Sequence, residues 1–142
     1  FYLGRGLDYA AAQEGALKMK EISYIHAQAY AGGELKHGPI ALVGAGSVVV
    51  SIVTNPDTAA KMASNVEEVA ARGAYCIGIV MERLASQVSE VFDEIIPIPN
   101  TDPCLAGILS AVPLQLMAYE VCLLRGLDPD KPRNLAKSVT VE

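Results

Sequence analysis

The sequence is poor in aromatic residues, in cysteine and in basic residues. Its 142 residues include no tryptophan, two phenylalanines and three cysteines. Three scattered cysteines are too few for a disulfide framework or a zinc site, so we expect reduced thiols in the core, and we predict neither a metal ion nor another cofactor. Eleven basic residues against sixteen acidic ones give a net charge of −5, which argues against nucleic acid and anionic membranes as partners.

The chain also lacks a secretory signal and any uninterrupted apolar run of about 18 residues, the length that a membrane-spanning helix needs. We therefore expect a cytoplasmic protein without a membrane partner. The sequence opens on an apolar, strand-like run at residues 1–3, without an initiator methionine. We expect it to be part of a longer polypeptide.

Apolar segments that alternate between strand and helix character make up most of the sequence. Hydrophobic residues account for 51% and charged residues for 19%, which excludes disorder and allows a substantial core. We predict strands at residues 1–3, 47–53, 74–80 and 92–98, and helices at 8–24, 57–72 and 105–125. Strands that are apolar on both faces and alternate with helices indicate an α/β fold, a three-layer sandwich around a doubly wound, mainly parallel sheet.

Local signals refine these boundaries. Asp8 is predicted to be the N-cap of the first helix, because its carboxylate can accept from the free amides of the first turn. The glycine-containing stretch 27–38 is expected to be irregular or a short helix. Pro113 should kink or break the last helix, since proline lacks a backbone N–H.

The first predicted helix carries a charged stripe. Glu14, Lys18 and Glu21 are spaced i, i+4 and i+7, which places them on one side of a helix. Such a stripe is either a solvated face with an ion pair or part of a site. The opposite side is rich in small residues suited to close packing on a sheet: Ala12, Gly15, Ala16, Met19 and Ser23.

Other candidate residues lie in loops. His37 occupies a glycine-flanked loop, where an imidazole can exchange protons near neutral pH, whereas His26 is expected to be a packed or surface histidine. Arg5 stands in a Gly-Arg-Gly turn that could bring an anion to a helix N-terminus but is first of all a turn. Lys137, alone between apolar residues, would by itself indicate a surface lysine.

Three stretches carry a resemblance to a known family. Residues 14–27, 33–39 and 132–142 resemble, in the same order, the second sugar isomerase (SIS) subdomain of the glutamine–fructose-6-phosphate aminotransferases. The resemblance implies a flavodoxin-like SIS domain over residues 1–126 and a C-terminal tail, 127–142, that closes over the sugar. Residues 55–105 add little to it.

The resemblance also implies roles for individual residues. Glu21 would move a proton between carbons 1 and 2 of the sugar, with Lys18 beside it. His37 would open the hexose ring in the site of a neighbouring subunit, and Lys137 would form a Schiff base with the ketose. The predicted substrate-binding residues are Glu14, Ala136 and Arg5.

The implied partners are a sugar phosphate, a second copy of the chain, a first SIS subdomain that grips the phosphate, and an N-terminal glutaminase domain. Without those domains we expect the chain to be inactive. Two other functions stay open: a phosphosugar-binding module without chemistry, and a related isomerase or deglycase. A sensor would need neither the proton-transfer residues nor the imine lysine, which favours the enzyme.

Overall fold

Short aliphatic runs form a central parallel sheet. In the computed structural model, which describes residues 1–134, five strands pair in the order β2-β1-β3-β4-β5, each parallel to its neighbour. The strands are β1 (Tyr2–Gly4), β2 (Ala29–Ala31), β3 (Val48–Val53), β4 (Tyr75–Met81) and β5 (Glu94–Ile98). The helices are α1 (Leu7–Ser23), α2 (Pro56–Ala70), α3 (Glu82–Val88) and α4 (Ala106–Leu124). The predicted α/β fold with a doubly wound parallel sheet is confirmed.

Chain direction sorts the helices into two layers. The chain crosses from β1 to β2 in one direction and from β3 through β4 to β5 in the other. Right-handed crossovers then place α1 on one face of the sheet and α2 and α3 on the other. The helix α4 packs against α1, which completes the three layers.

The small residues of α1 allow close packing. A Cβ atom on Gly15 would lie 2.6 Å from Cδ2 of Leu114 on α4 and 2.9 Å from Cε1 of Tyr2 on β1, so a larger residue would force these side chains to shift. The neighbouring Ala12 and Ala16 are also buried. The predicted packing face of this helix is confirmed.

The first turn of α1 differs from the prediction. Gly6 occupies the N-cap position, and Asp8 lies inside the helix, where it is 4% exposed. Its carboxylate accepts hydrogen bonds from the Thr54 hydroxyl and from the Thr54 backbone N–H, the latter at 3.0 Å. Asp8 therefore joins α1 to the end of β3, because burial directs its carboxylate toward the sheet.

Burial also makes Asp8 a source of pH dependence. Desolvation raises the pKa of its carboxyl above the usual 3.8, although hydrogen bonds from Thr54 oppose the shift. The folded chain thus binds this proton more tightly than the unfolded chain does. Its contribution to stability is full below the unfolded pKa and is lost as the pH rises through the folded pKa. We expect Asp8→Asn to remove this loss, as measured by urea unfolding from about pH 3 to about pH 7.

The exposed Asp57, in the first turn of α2, supplies the control for this experiment. Asp57→Asn should leave unchanged the decrease in the free energy of unfolding as the pH rises. If the two variants changed the pH dependence equally, the assignment to Asp8 would be contradicted.

Some elements depart from the sequence prediction. The edge strand β2 lies in a stretch expected to be irregular; it spans three half-buried residues, too few to show a pattern. The short helix α3 was not predicted. The last helix continues through Pro113, so the expected break is absent; packing of its neighbour Leu114 against α1 supports the helix there. Cys104 is exposed rather than a core thiol.

The helix α4 has two contrasting faces. By length and composition it could cross a membrane, with a mean hydropathy of 1.6, contrary to expectation. However, every fourth residue is buried: Ala106, Ser110, Leu114, Ala118 and Cys122. The exposed face carries an apolar stripe, here called the α4 stripe: Leu105, Ile108, Val112, Leu116, Tyr119 and Leu123. The buried row shows that α4 is a packing element of the sandwich.

Candidate active site

The structure brings the three charged residues of α1 together. Lys18 Nζ lies 2.9 Å from Glu21 Oε2 and 3.4 Å from Glu14 Oε1. The side chain of Glu21 is only 14% exposed, against 24% for Lys18 and 37% for Glu14. Glu21 is therefore a carboxylate that is largely withdrawn from water and held in place by an ammonium group, not a freely solvated surface charge.

The ion pairs determine the protonation of Lys18. The hydrogen bond to Glu21 is the main cause that raises the pKa of Lys18 above 10.5, and the charge of Glu14 adds to it. Lys18 is therefore an ammonium group at neutral pH. An imine requires a neutral amine, so Lys18 can hold a carboxylate or a substrate oxygen but is poorly suited to attack a carbonyl.

The chain returns to this end of α1 after α4. The backbone N–H of Arg133 donates to the hydroxyl of Tyr24 at 2.9 Å, and the Arg133 guanidinium lies 4.3 Å from the centre of the Tyr24 ring. Tyr24 caps the C-terminus of α1, three residues beyond Glu21. This contact brings Arg133 close to the end of α1 that carries Glu21.

Comparison with known proteins assigns the chain to a family. A model of the SIS domain matches residues 1–125. The chain belongs to the SIS domain family. Over its whole length this SIS domain is 58% identical to the glutamine–fructose-6-phosphate aminotransferase [isomerizing] of Clostridium acetobutylicum and 52% identical to that of Methanosarcina acetivorans. It spans 23% of the length of each of these relatives.

Solved structures share the fold. The C-terminal domain of the glucosamine-fructose-6-phosphate aminotransferase from Francisella tularensis has a TM-score of 0.87 and 44% identity, over 92% of this chain and 36% of that one. The tagatose-6-phosphate ketose/aldose isomerase from Escherichia coli has a TM-score of 0.79 and 27% identity, over 92% of this chain and 37% of that one. SIS domains thus recur in larger chains that are named for chemistry on phosphosugars.

His37 lies in a different layer of the SIS domain from the charged cluster. It ends the 3₁₀ segment Gly32–His37, which follows the edge strand β2, and its side chain is exposed. Lys36 Nζ pairs with Glu68 Oε1 on α2 at 2.7 Å, so this segment packs on the face of the sheet opposite to α1. Within one copy of the chain, the sheet therefore lies between the layer of His37 and that of Glu21.

Of the remaining predicted residues, Arg5 belongs to the part of the chain that the structure describes, and two others do not. Arg5 lies in the turn after β1, where its guanidinium bonds to Asn65 of α2. Ala136 and Lys137 lie outside the described residues, so their predicted roles stay predictions. The predicted boundary between an SIS domain and a tail at residue 126 also stays a prediction.

Sequence reasoning missed Asn65, Tyr24 and Arg133. Asn65 offered a signal, since it is a polar residue among the predominantly apolar positions of the buried side of α2. Tyr24 and Arg133 are 109 positions apart, and nothing in their local sequence pairs them.

Proposed function

We propose that this SIS domain is the C-terminal half of the isomerase module of a glutamine–fructose-6-phosphate aminotransferase. That module would convert fructose 6-phosphate and glutamine-derived ammonia to glucosamine 6-phosphate in the cytoplasm. The observation that carries the proposal is the cluster of Glu14, Lys18 and Glu21 on α1, in a chain whose full length is similar to that family.

The proposed chemistry uses side chains alone. After ring opening, the Lys137 amine would condense with the ketone at carbon 2 to form an imine and release water. Ammonia would then displace the lysine amine and leave its own imine at carbon 2. Glu21 would then take a proton from carbon 1 and return a proton to carbon 2, through an enolamine, which leaves an aldehyde at carbon 1 and an amine at carbon 2. Lys18 holds the carboxylate in place, while Glu14 and Ala136 are the proposed substrate contacts. For Arg5, whose guanidinium bonds to Asn65, we propose a positioning role in place of the predicted substrate contact.

The contact between Tyr24 and Arg133 supports the proposed role of Lys137. Four residues of extended chain reach at most about 14 Å. Lys137 follows Arg133 by four positions in the sequence, and we propose that this length of chain lets its amine approach a sugar bound near Glu21. A tail anchored there can cover a sugar bound at the charged cluster.

The position of His37 favours a dimer. Since His37 and Glu21 lie in opposite layers of one copy, we propose that His37 opens the ring of a sugar that is bound in the site of a second copy. His37 is exposed and follows the edge strand β2, where a neighbouring subunit could receive it.

Further domains would complete the site. A cavity of about 450 Å³ between the sheet, α1 and α4 has a mostly apolar lining, which does not suit a phosphate group. We propose that a first SIS subdomain grips the phosphate, packs on the α4 stripe, and connects to a glutaminase domain. Both solved structures described above are longer than this chain, which covers 36% of one and 37% of the other, so each has room for a further subdomain.

The isolated chain should therefore be unable to make glucosamine 6-phosphate. We expect no turnover of fructose 6-phosphate and ammonia by residues 1–142, and turnover by the full-length polypeptide. The assay measures glucosamine 6-phosphate released. Turnover by the fragment at the full-length rate would contradict the proposal that the further domains are needed for activity. A full-length protein that binds the sugar phosphate without converting it would indicate a sensor.

Loosening the tail should slow turnover in the full-length polypeptide. Tyr24→Ala removes the hydroxyl acceptor and the ring beneath Arg133, and we expect kcat with saturating substrates to fall about tenfold or more. Tyr24→Phe keeps the ring and should have a smaller effect. The exposed Tyr75 supplies the control, Tyr75→Phe. A kcat for Tyr24→Ala within twofold of the control, a margin of about 0.4 kcal/mol, would exclude an anchoring role.

A further inference from the structure

Arg5 is held by a side chain from another element. Its Nε and Nη2 donate to Oδ1 of Asn65, at 3.0 and 2.8 Å. Arg5 follows β1 directly, and Asn65 is 5% exposed in the middle of α2. Two donors on one acceptor determine the orientation of the guanidinium plane, which a lysine ammonium group could not reproduce.

The oriented guanidinium lies against the start of the segment Gly32–His37. A Cβ atom on Gly32 would lie 3.3 Å from Arg5 Nε and only 2.6 Å from Asn65 Oδ1. A Cβ atom on Gly33 would lie 3.5 Å from both Nη atoms of Arg5. Only a residue without a side chain at position 32 lets the backbone approach the Arg5–Asn65 pair this closely.

The far end of the same segment is held as well. Leu35 is fully buried, and Lys36 pairs with Glu68 at 2.7 Å. The segment thus packs at its beginning against the Arg5–Asn65 pair, is buried in its middle at Leu35, and is held next to His37 by the ion pair of Lys36. Two of the three attachments are made to α2, so the exposed imidazole is presented from a braced backbone.

We propose that Arg5 and Asn65 are positioning residues that hold the Gly32–His37 segment so that His37 meets the ring oxygen of the sugar. This inference rests on the proposed ring-opening role of His37. A general acid or base must be held close to the productive geometry, and a small displacement of the backbone that carries it costs rate. Arg5 then acts through His37 and is not required to touch the substrate.

Hydrogen exchange in the full-length polypeptide tests whether Arg5 and Asn65 hold the Gly32–His37 segment; this support of the segment is here called the brace. Arg5→Lys should raise the amide exchange rates of residues 32–38 by about tenfold, the effect of losing one to two hydrogen bonds. Gly32→Ala should do the same, because its methyl group displaces the Asn65 amide. The neighbouring Gly33→Ala is the matched control, since its Cβ makes an ordinary contact. Unchanged exchange in both Arg5→Lys and Gly32→Ala would overturn the inference.

Kinetics test the connection to His37. Arg5→Lys should lower kcat by about tenfold with little change in KM. In a His37→Asn background the same substitution should have almost no further effect, because the residue being positioned is gone. Additive losses would show that Arg5 acts independently and would overturn the inference. If His37→Asn alone retained full activity while Arg5→Lys still accelerated exchange, the ring-opening role would fail and the brace would remain.

Discussion

Replacing Glu21 by Gln is expected to lower the kcat of the full-length polypeptide by about 10² to 10⁴, the contribution of a positioned proton-transfer group. Glutamine preserves the shape of the side chain and can still accept a hydrogen bond from Lys18, but it cannot take a proton from carbon 1. KM should change little, because the loss falls on the chemical step. The measurement is the rate of glucosamine 6-phosphate formation at saturating substrates.

A surface carboxylate provides the matched control for this experiment. Glu90 is exposed in the short 3₁₀ segment Ser89–Val91, and Glu90→Gln should leave kcat unchanged. The exchange of the carbon 1 proton with solvent adds a second readout, since Glu21→Gln should abolish it. If Glu21→Gln retained both turnover and exchange, the proton-transfer role of Glu21 would be refuted.

Gly4→Ala is expected to produce the largest loss of stability. A Cβ atom at this position would lie 2.3 Å from the Asp8 carbonyl oxygen and 2.5 Å from the Tyr9 backbone nitrogen. These are backbone atoms of the first turn of α1, and β1 is held between β2 and β3, so neither side can move aside easily. We expect the free energy of unfolding, measured in urea, to fall by about 3 kcal/mol or more.

The control is a glycine with open space around it. A Cβ atom on Gly107, at the start of α4, meets nothing within 4 Å, and Gly107→Ala should be neutral or stabilise the fold by up to about 1 kcal/mol. Equal effects of the two substitutions would show that the close approach at Gly4 is not what requires glycine there.

The strands and long helices could be predicted because their signals are local. The β-branched run in β3 and the i, i+4, i+7 charges of α1 are properties of neighbouring residues, and the structure has both elements. The edge strand β2 could not be predicted in this way. Its three residues are half-buried, and pairing with β1, rather than any apolar alternation, makes them a strand.

The same difference between local signals and long-range contacts applies to the candidate site. Glu14, Lys18 and Glu21 could be grouped from spacing, since one helix holds all three. The partner of Arg5 could not, because Asn65 is 60 positions away and is brought close only when α2 packs beside the end of β1. Asp8 was predicted to cap its own helix, but tertiary burial paired it with Thr54 instead.

Residue types and their spacing along the chain are enough to predict the fold class, the charged side of α1 and the family. Three relations become evident only in the folded chain: His37 and Glu21 occupy opposite layers, Tyr24 accepts a hydrogen bond from Arg133, and Arg5 lies against Gly32. Those relations are set by the order of strands in the sheet, which determines which distant segments come into contact and which remain apart.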